Sequence, residues 1–233
     1  MTTGAKVEVY LESGSKRVFA GALDWPGWCR SGKDEESALR ALFDYAPRYA
    51  KVLGRSRSGF SAPGDISALK VVERLPGDAS TDFGAPGKAP AADERRIDAD
   101  EAKRATTVLK ACWSAFDRAV KAASGKELRK GPRGGGRDLD RIVLHVIEAD
   151  GAYLSQIGRK FRFDPGADVE KELARLREDI TGSLEDSVGA PPPKAGPRGG
   201  KRWTPRYFVR RSAWHVLDHA WEIEDRAGGG APA

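Results

Sequence analysis

The chain has 233 residues, of which 39% are hydrophobic and 32% charged, and its formal net charge is +6 at pH 7. This length suffices for one large domain or two small ones with hydrophobic cores, and the apolar content is typical of a folded protein. No run approaches the roughly 20 apolar residues of a membrane-spanning helix, and the N-terminal sequence MTTGAKVEVYLESG lacks the pattern of a secretion signal.

Cysteine usage and charge placement narrow the class of protein further. Cys29 and Cys112 are too few for a disulfide framework, so we expect reduced thiols in a cytoplasmic protein without a membrane partner. Much of the positive charge falls in residues 125–137 and 194–211. Such basic segments are usually solvated loops, and apart from Trp203 and Tyr207 they lack the interleaved aromatic residues of a single-strand-binding surface. Nucleic-acid binding is therefore not favoured.

The first 78 residues alternate strand and helix patterns. Residues 6–12 and 16–24 have the composition of strands, with SGS as the turn between them. After acidic residues 34–36, which favour a helix start, apolar residues recur at helical spacing, and Pro47 bends or ends that helix. Residues 65–75 predict a returning strand. We predict a small β-β-α-β domain over 1–78, in which WPGWCRSG forms either a loop or an additional irregular strand.

Residues 79–92 are rich in proline, glycine and alanine and predict a linker. Four stretches with one apolar face each then follow, at about 105–123, 138–158, 166–188 and 205–226. Four amphipathic helices of this length predict an up-down-up-down four-helix bundle over 93–227, followed by a disordered tail at 228–233. The expected fold class is α+β.

The three histidines of the chain fall on two of these helices. His215 and His219 are four residues apart, which places both on one face of the fourth helix. His145 lies beside the apolar stripe of the second helix, and a bundle can bring it opposite the other two. Three neutral imidazoles with an open position suit zinc, and also nickel, cobalt or iron(II). Histidines at this spacing also occur as ordinary packing residues, so a metal-free bundle is the competing interpretation.

The segments RIVLHVIEAD, with His145, and WHVLDHAWEIEDR, with His215 and His219, resemble the DinB superfamily of four-helix bundles over about 93–226. Members typically bind a divalent metal through one histidine of the second helix and an H-x-x-x-H pair of the fourth. Several use low-molecular-weight thiols in transfer or isomerisation reactions. The resemblance implies a metal-dependent enzyme of that type, with a small electrophile and a thiol as its molecular partners.

Further candidate residues surround the histidines. Glu148, Asp218 and Glu222 lie near them on the helices and are candidates to orient the ligands. In an up-down-up-down bundle the two basic connections share one end. We therefore predict a positive rim that attracts an anionic substrate or thiol. Its residues would be Arg129, Lys130, Arg198 and Lys201.

The segments LDWPGWC and DEESALRAL resemble the HicB-like domain over about 5–75. HicB proteins often bind a small RNase partner and carry a separate DNA-binding segment. No such segment is obvious in this sequence. We expect a module for homo-oligomerisation or a lid over the bundle. The alternative function is a non-catalytic binding or regulatory protein whose HicB-like domain contacts a protein or RNA.

Overall fold

The computed structural model describes residues 6–54, 59–130, 136–191, 200 and 202–228. The fold is α+β, as predicted: a four-stranded sheet is followed by long helices. Within these residues no helix combines the length and the apolar character that crossing a bilayer requires.

The sheet contains the strands β1 (Val7–Ser13), β2 (Val18–Ala22), β3 (Cys29–Gly32) and β4 (Leu69–Pro76). Its order is β3-β2-β1-β4. The hairpin predicted from the alternating pattern joins β1 to β2, and β4 returns parallel to β1. The segment WPGWCRSG, predicted to be either a loop or an irregular strand, contributes β3, which pairs antiparallel with β2.

The predicted N-terminal helix consists of two helices, α1 (Glu35–Asp44) and α2 (Ala46–Leu53). Asp34 caps α1, because its side chain accepts a hydrogen bond from the backbone N–H of Ser37. Pro47 lies in the first turn of α2, where a missing N–H leaves no hydrogen bond unmade. The proline therefore begins a second helix after the first has ended.

The predicted linker, residues 79–92, contains a short helix, α3 (Ala79–Phe83), and is bonded to the sheet. The Glu12 carboxylate on β1 is fully buried and accepts hydrogen bonds from Thr81 Oγ1 at 2.5 Å, Gly87 N at 2.9 Å and Lys88 N at 3.0 Å. These bonds compensate the burial of a charge that would otherwise be costly. They also fix the path of this segment along the sheet.

The four predicted long helices are present as α4 (Ala99–Ala123), α5 (Leu139–Gln156), α6 (Val169–Asp186) and α7 (Pro205–Ala227). A side-chain oxygen caps the start of each one, contributed by Asp98, Asp138, Asp168 and Thr204. Helix α7 packs against α4 and α5, and α6 packs against the same two helices.

The predicted up-down-up-down order is wrong, because it requires α5 and α7 to run in the same direction. Instead, Arg129 N, in the connection between α4 and α5, donates to the carbonyl of Arg226 at the end of α7. Trp203 N, just before α7, donates to the carbonyl of Gln156 at the end of α5. Helices α5 and α7 are therefore antiparallel. The ion pair between Arg159 and Asp186 places the ends of α5 and α6 together, so these two helices are parallel.

The connection between α5 and α6 explains this order. Phe161 and Phe163 in this connection pack against the core, and the carbonyl of Arg162 accepts a hydrogen bond from Arg175 on α6. Its twelve residues can span about 40 Å when extended. That exceeds the length of α6, about 27 Å. The chain therefore travels back along the helices before α6 begins.

One apolar cluster contains residues from both sides of segment 79–92. From the sheet and the first helices it includes Val9, Leu11, Trp28 and Leu42, and from the long helices Leu109, Phe116, Ile147, Phe208 and Leu217. Arg210 of α7 reinforces this contact with a buried ion pair to Asp93 at 2.6 Å and with hydrogen bonds to the carbonyls of Ala22 and Leu23. The predicted linker therefore does not interrupt the core.

Candidate metal centre

The antiparallel packing of α5 and α7 brings the three predicted histidines together. One ring nitrogen from each of His145, His215 and His219 lies within 4.8 Å of the other two. His145 Nε2 and His215 Nε2 are 3.2 Å apart. The ring centroids of the three pairs are separated by 4.6 to 5.1 Å.

These separations fit a tetrahedral cation. Zinc–nitrogen bonds of about 2.0–2.1 Å place two ligand nitrogens about 3.3 Å apart. The 3.2 Å distance between His145 and His215 already matches this value. Small rotations of the imidazole rings would bring the third nitrogen to the same distance. Three imidazoles leave the fourth coordination position open to a small molecule.

The surroundings keep two of the imidazoles, those of His145 and His215, in the neutral form that binds metals. Burial, together with the neighbouring Arg137 and His219, lowers the pKa of His145 to about 4. Burial and the neighbouring histidines hold the pKa of His215 well below its ordinary value. Near pH 7 both rings therefore have a lone pair available.

Glu222 and Arg226 orient His219. The Nδ1 atom of His219 lies 2.8 Å from Glu222 Oε2, and Arg226 Nη1 donates to the other carboxylate oxygen at 2.7 Å. Burial opposes ionisation of Glu222, but the hydrogen bonds and charges of its two partners prevail and lower its pKa. With Nδ1 donating to this carboxylate, Nε2 is free to bind a cation.

The other two predicted orienting residues contact no histidine. Asp218 pairs instead with Arg30 of β3 at 3.1 Å. Glu148 is exposed to solvent. Of the three predicted acidic residues, only Glu222 is thus part of the site.

The predicted positive rim depends on two basic connections that lie at different ends of the helices. Arg129 donates a hydrogen bond to the carbonyl of Asp225 near the end of α7, and Lys130 is exposed. Arg198 and Lys201 fall outside the described residues, in a connection that leads to the start of α7. Because α5 and α7 are antiparallel, their starts lie at opposite ends, so the premise that the two basic connections share one end is wrong.

Two residues that the sequence did not single out lie next to the histidines. The ring of Tyr153 on α5 is 5.6 Å from that of His215, centroid to centroid. The Cζ atom of Arg211 on α7 lies 5.3 Å from the Tyr153 ring. Arg211 is one helical turn before His215, so helical spacing could have identified it, whereas Tyr153 meets His215 only through the antiparallel packing of α5 against α7.

A buried polar layer lies one turn away from the histidines. Asp150 of α5 is 2% exposed, and burial raises its pKa to about 7 although the neighbouring Ser212 and the charges of Arg177 and Arg211 oppose that rise. Asp150 Oδ1, Ser212 Oγ and His215 Nδ1 are all buried, and none has a hydrogen-bond partner within the described part of the chain. Groups of this kind are usually satisfied by buried water.

Two clefts lie away from the histidines. One, of about 300 Å³, is lined by Ile97, Arg159, Ser187 and Trp203 among others. A smaller one, of about 100 Å³, lies next to the ion pair of Asp93 and Arg210. Of the three histidines, His145 is partly exposed to solvent, whereas His215 and His219 are buried.

Comparison of the chain with protein-family models, with curated proteins and with solved structures gave no match.

Proposed function

We propose that His145, His215 and His219 bind one divalent cation, with Zn²⁺ as the best fit and nickel, cobalt and iron(II) as alternatives, inside a four-helix bundle. The observation that carries this proposal is the convergence of three imidazoles from two helices, with the pKa of both His145 and His215 lowered. Three-histidine sites with an open position are typical of catalytic rather than structural zinc.

We propose further that the centre is catalytic and acts on a small electrophile with a low-molecular-weight thiol, in a transfer or isomerisation reaction. A bound cation would lower the pKa of a ligated thiol or water and so supply a nucleophile at neutral pH. The chain's own thiols are unsuited to this role. Cys29 and Cys112 are buried, and burial raises the pKa of Cys29 to about 12 and that of Cys112 further. A thiol nucleophile must therefore come from a separate molecule.

The test is metal analysis of tag-free protein, followed by thermal unfolding with and without added Zn²⁺. We expect one equivalent of metal per chain and a higher melting temperature with Zn²⁺, because a ligand that binds only the folded state stabilises it. His145→Ala and His219→Ala should lose both effects. Unchanged metal content in these variants would overturn the proposed centre.

A screen of thiols with electrophiles then tests catalysis in the metal-loaded protein. Thiol-dependent turnover that chelators abolish would support the enzyme. Stoichiometric metal without turnover, together with a co-purifying protein or RNA, would favour the non-catalytic binding function.

A further inference from the structure

Arg211 is a partly buried cation next to the histidine centre. Its Cζ atom lies 4.6 Å from the Trp214 ring, and Nη1 donates to the carbonyl of Pro86 at 2.9 Å. Arg210 and Arg226 on the same helix each pair with a carboxylate. Arg211 forms no such ion pair within the described ranges. A partly desolvated guanidinium without an anion indicates a place for an anionic ligand.

Tyr153 supplies a second donor at this position. Its ring contacts both the His215 ring and the Arg211 guanidinium, at 5.6 and 5.3 Å. Burial raises the pKa of Tyr153, although the charge of Arg211 and a hydrogen bond from it oppose that rise. The hydroxyl is therefore protonated at neutral pH and can donate a hydrogen bond.

The charges around the centre also favour an anion. Arg137, just before α5, and Arg211 lie close enough to lower the pKa of His215. The charge of Glu222 is matched by Arg226. Asp150 is a further acidic neighbour, and its burial disfavours the ionised form. The local balance is therefore positive before any cation binds.

We propose that Arg211 and Tyr153 form a subsite that binds the carboxylate of a small organic acid beside the three-histidine centre. The guanidinium fork matches the planar, two-oxygen geometry of a carboxylate. The rings of Trp214 and Tyr153 flank Arg211 and offer apolar surface to the carbon skeleton of such a ligand. The inference rests on the proposed function, because the subsite would hold the substrate of that centre.

The test is calorimetric titration of the full chain with succinate, in the Zn²⁺-loaded and the metal-free state. We expect Arg211→Gln to weaken succinate binding at least tenfold, since each hydrogen bond to a charged group contributes about 1.5–3 kcal/mol. Tyr153→Phe keeps the ring and should weaken binding severalfold. The neutral diamide succinamide should not bind.

Arg74→Gln is the matched control. It removes the same charge from an exposed residue on β4 that pairs with Glu35, far along the chain from the centre. It should bind succinate like the wild type. Equal succinate affinity in Arg211→Gln and wild type, or no binding by the wild type, would overturn the subsite.

Zinc affinity is measured separately, by competition with a chromophoric chelator. Arg211→Gln should keep the wild-type zinc affinity, which also shows that the variant is folded. Arg211-dependent succinate binding by a chain that binds no zinc would reject the proposed metal centre and leave the subsite standing. Normal zinc binding without Arg211-dependent succinate binding would reject the subsite and leave the metal centre standing.

Discussion

At the scale of single residues, the centre depends on how each imidazole is held. His219 is oriented by Glu222, which is itself held by Arg226 one turn further along α7. His215 has no such partner for Nδ1 among the described residues. His145 is the most exposed of the three. The centre is thus firmly positioned on one side and accessible on the other.

We predict that Glu222→Gln lowers zinc affinity 10- to 100-fold, the usual effect of removing a carboxylate that orients a ligand histidine. Chelator competition measures this change. Glu148→Gln is the control, since it makes the same change at an exposed residue on α5. Equal zinc affinity in the two variants would show that Glu222 does not support the centre.

Asp150 should make stability depend on pH. The ordinary pKa of an aspartate, about 3.9 in the unfolded chain, rises to about 7 in the fold. Between pH 4 and pH 7 the folded chain therefore keeps a proton that the unfolded chain has lost. The free energy of unfolding consequently falls as pH rises through this window. Above pH 7 the decrease in stability caused by Asp150 is complete.

Asp150→Asn removes this titration. We predict that the variant gains about 2–3 kcal/mol over the wild type between pH 5 and pH 8, measured by urea unfolding with a chelator present. The histidines titrate alike in both proteins and cancel in the comparison. A stability difference that does not change with pH would contradict the raised pKa of Asp150.

The sequence predicted the metal-ligand candidates but only part of their surroundings. Helical spacing was enough to place His215 and His219 on one face, and Glu222 lies three residues from His219. Tyr153 and Arg211 become neighbours only because α5 and α7 are antiparallel. Spacing within one helix contains no information about that contact.

At the scale of elements, α7 holds the molecule together. It contacts α4 and α5 and also reaches the sheet and the first two helices, through Arg30 to Asp218 and through Arg48 to Glu224 and Asp225. Its central contact is Arg210, which is buried between Asp93 and two carbonyls of the sheet region.

We predict that Arg210→Met destabilises the fold by about 3–5 kcal/mol, because Asp93 is left as a buried charge without a partner. The double variant with Asp93→Asn should recover part of this loss. Arg74→Met serves as the control, since its exposed ion pair with Glu35 is worth about 1 kcal/mol at most. Denaturant unfolding measures all three variants. Equal losses from Arg210→Met and Arg74→Met would contradict the importance of this contact.

Most elements were predictable from sequence, but their directions were not. Periodic apolar residues and capping residues such as Asp138 and Thr204 identify each long helix and its start. An apolar stripe shows which face of a helix is buried, but not which end of a neighbour it meets. The α5–α6 connection consists mostly of polar residues and glycine, and its return path depends on two phenylalanines that pack against the core. Those contacts are tertiary and leave no periodic signal.

At the scale of the whole molecule, a shared core implies shared stability. Trp28 donates to the carbonyl of Leu42, and both belong to the same apolar cluster as the long helices. We predict that Leu42→Ala lowers the stability of the whole chain by about 2–5 kcal/mol. Tryptophan fluorescence and far-UV circular dichroism should then report one coincident transition. A separate transition of the helices, unaffected by the substitution, would show that the two parts of the chain unfold independently.

The position of α7 in the chain has a consequence for biosynthesis. This helix follows every element that it packs against, so a nascent chain still lacking it carries the apolar faces of the sheet, α4 and α5 without their cover. Contacts such as Arg210 to Ala22 join residues 188 positions apart and must wait until translation of this helix is complete. Emergence from the ribosome therefore leaves a late interval in which chaperones would protect the chain from aggregation.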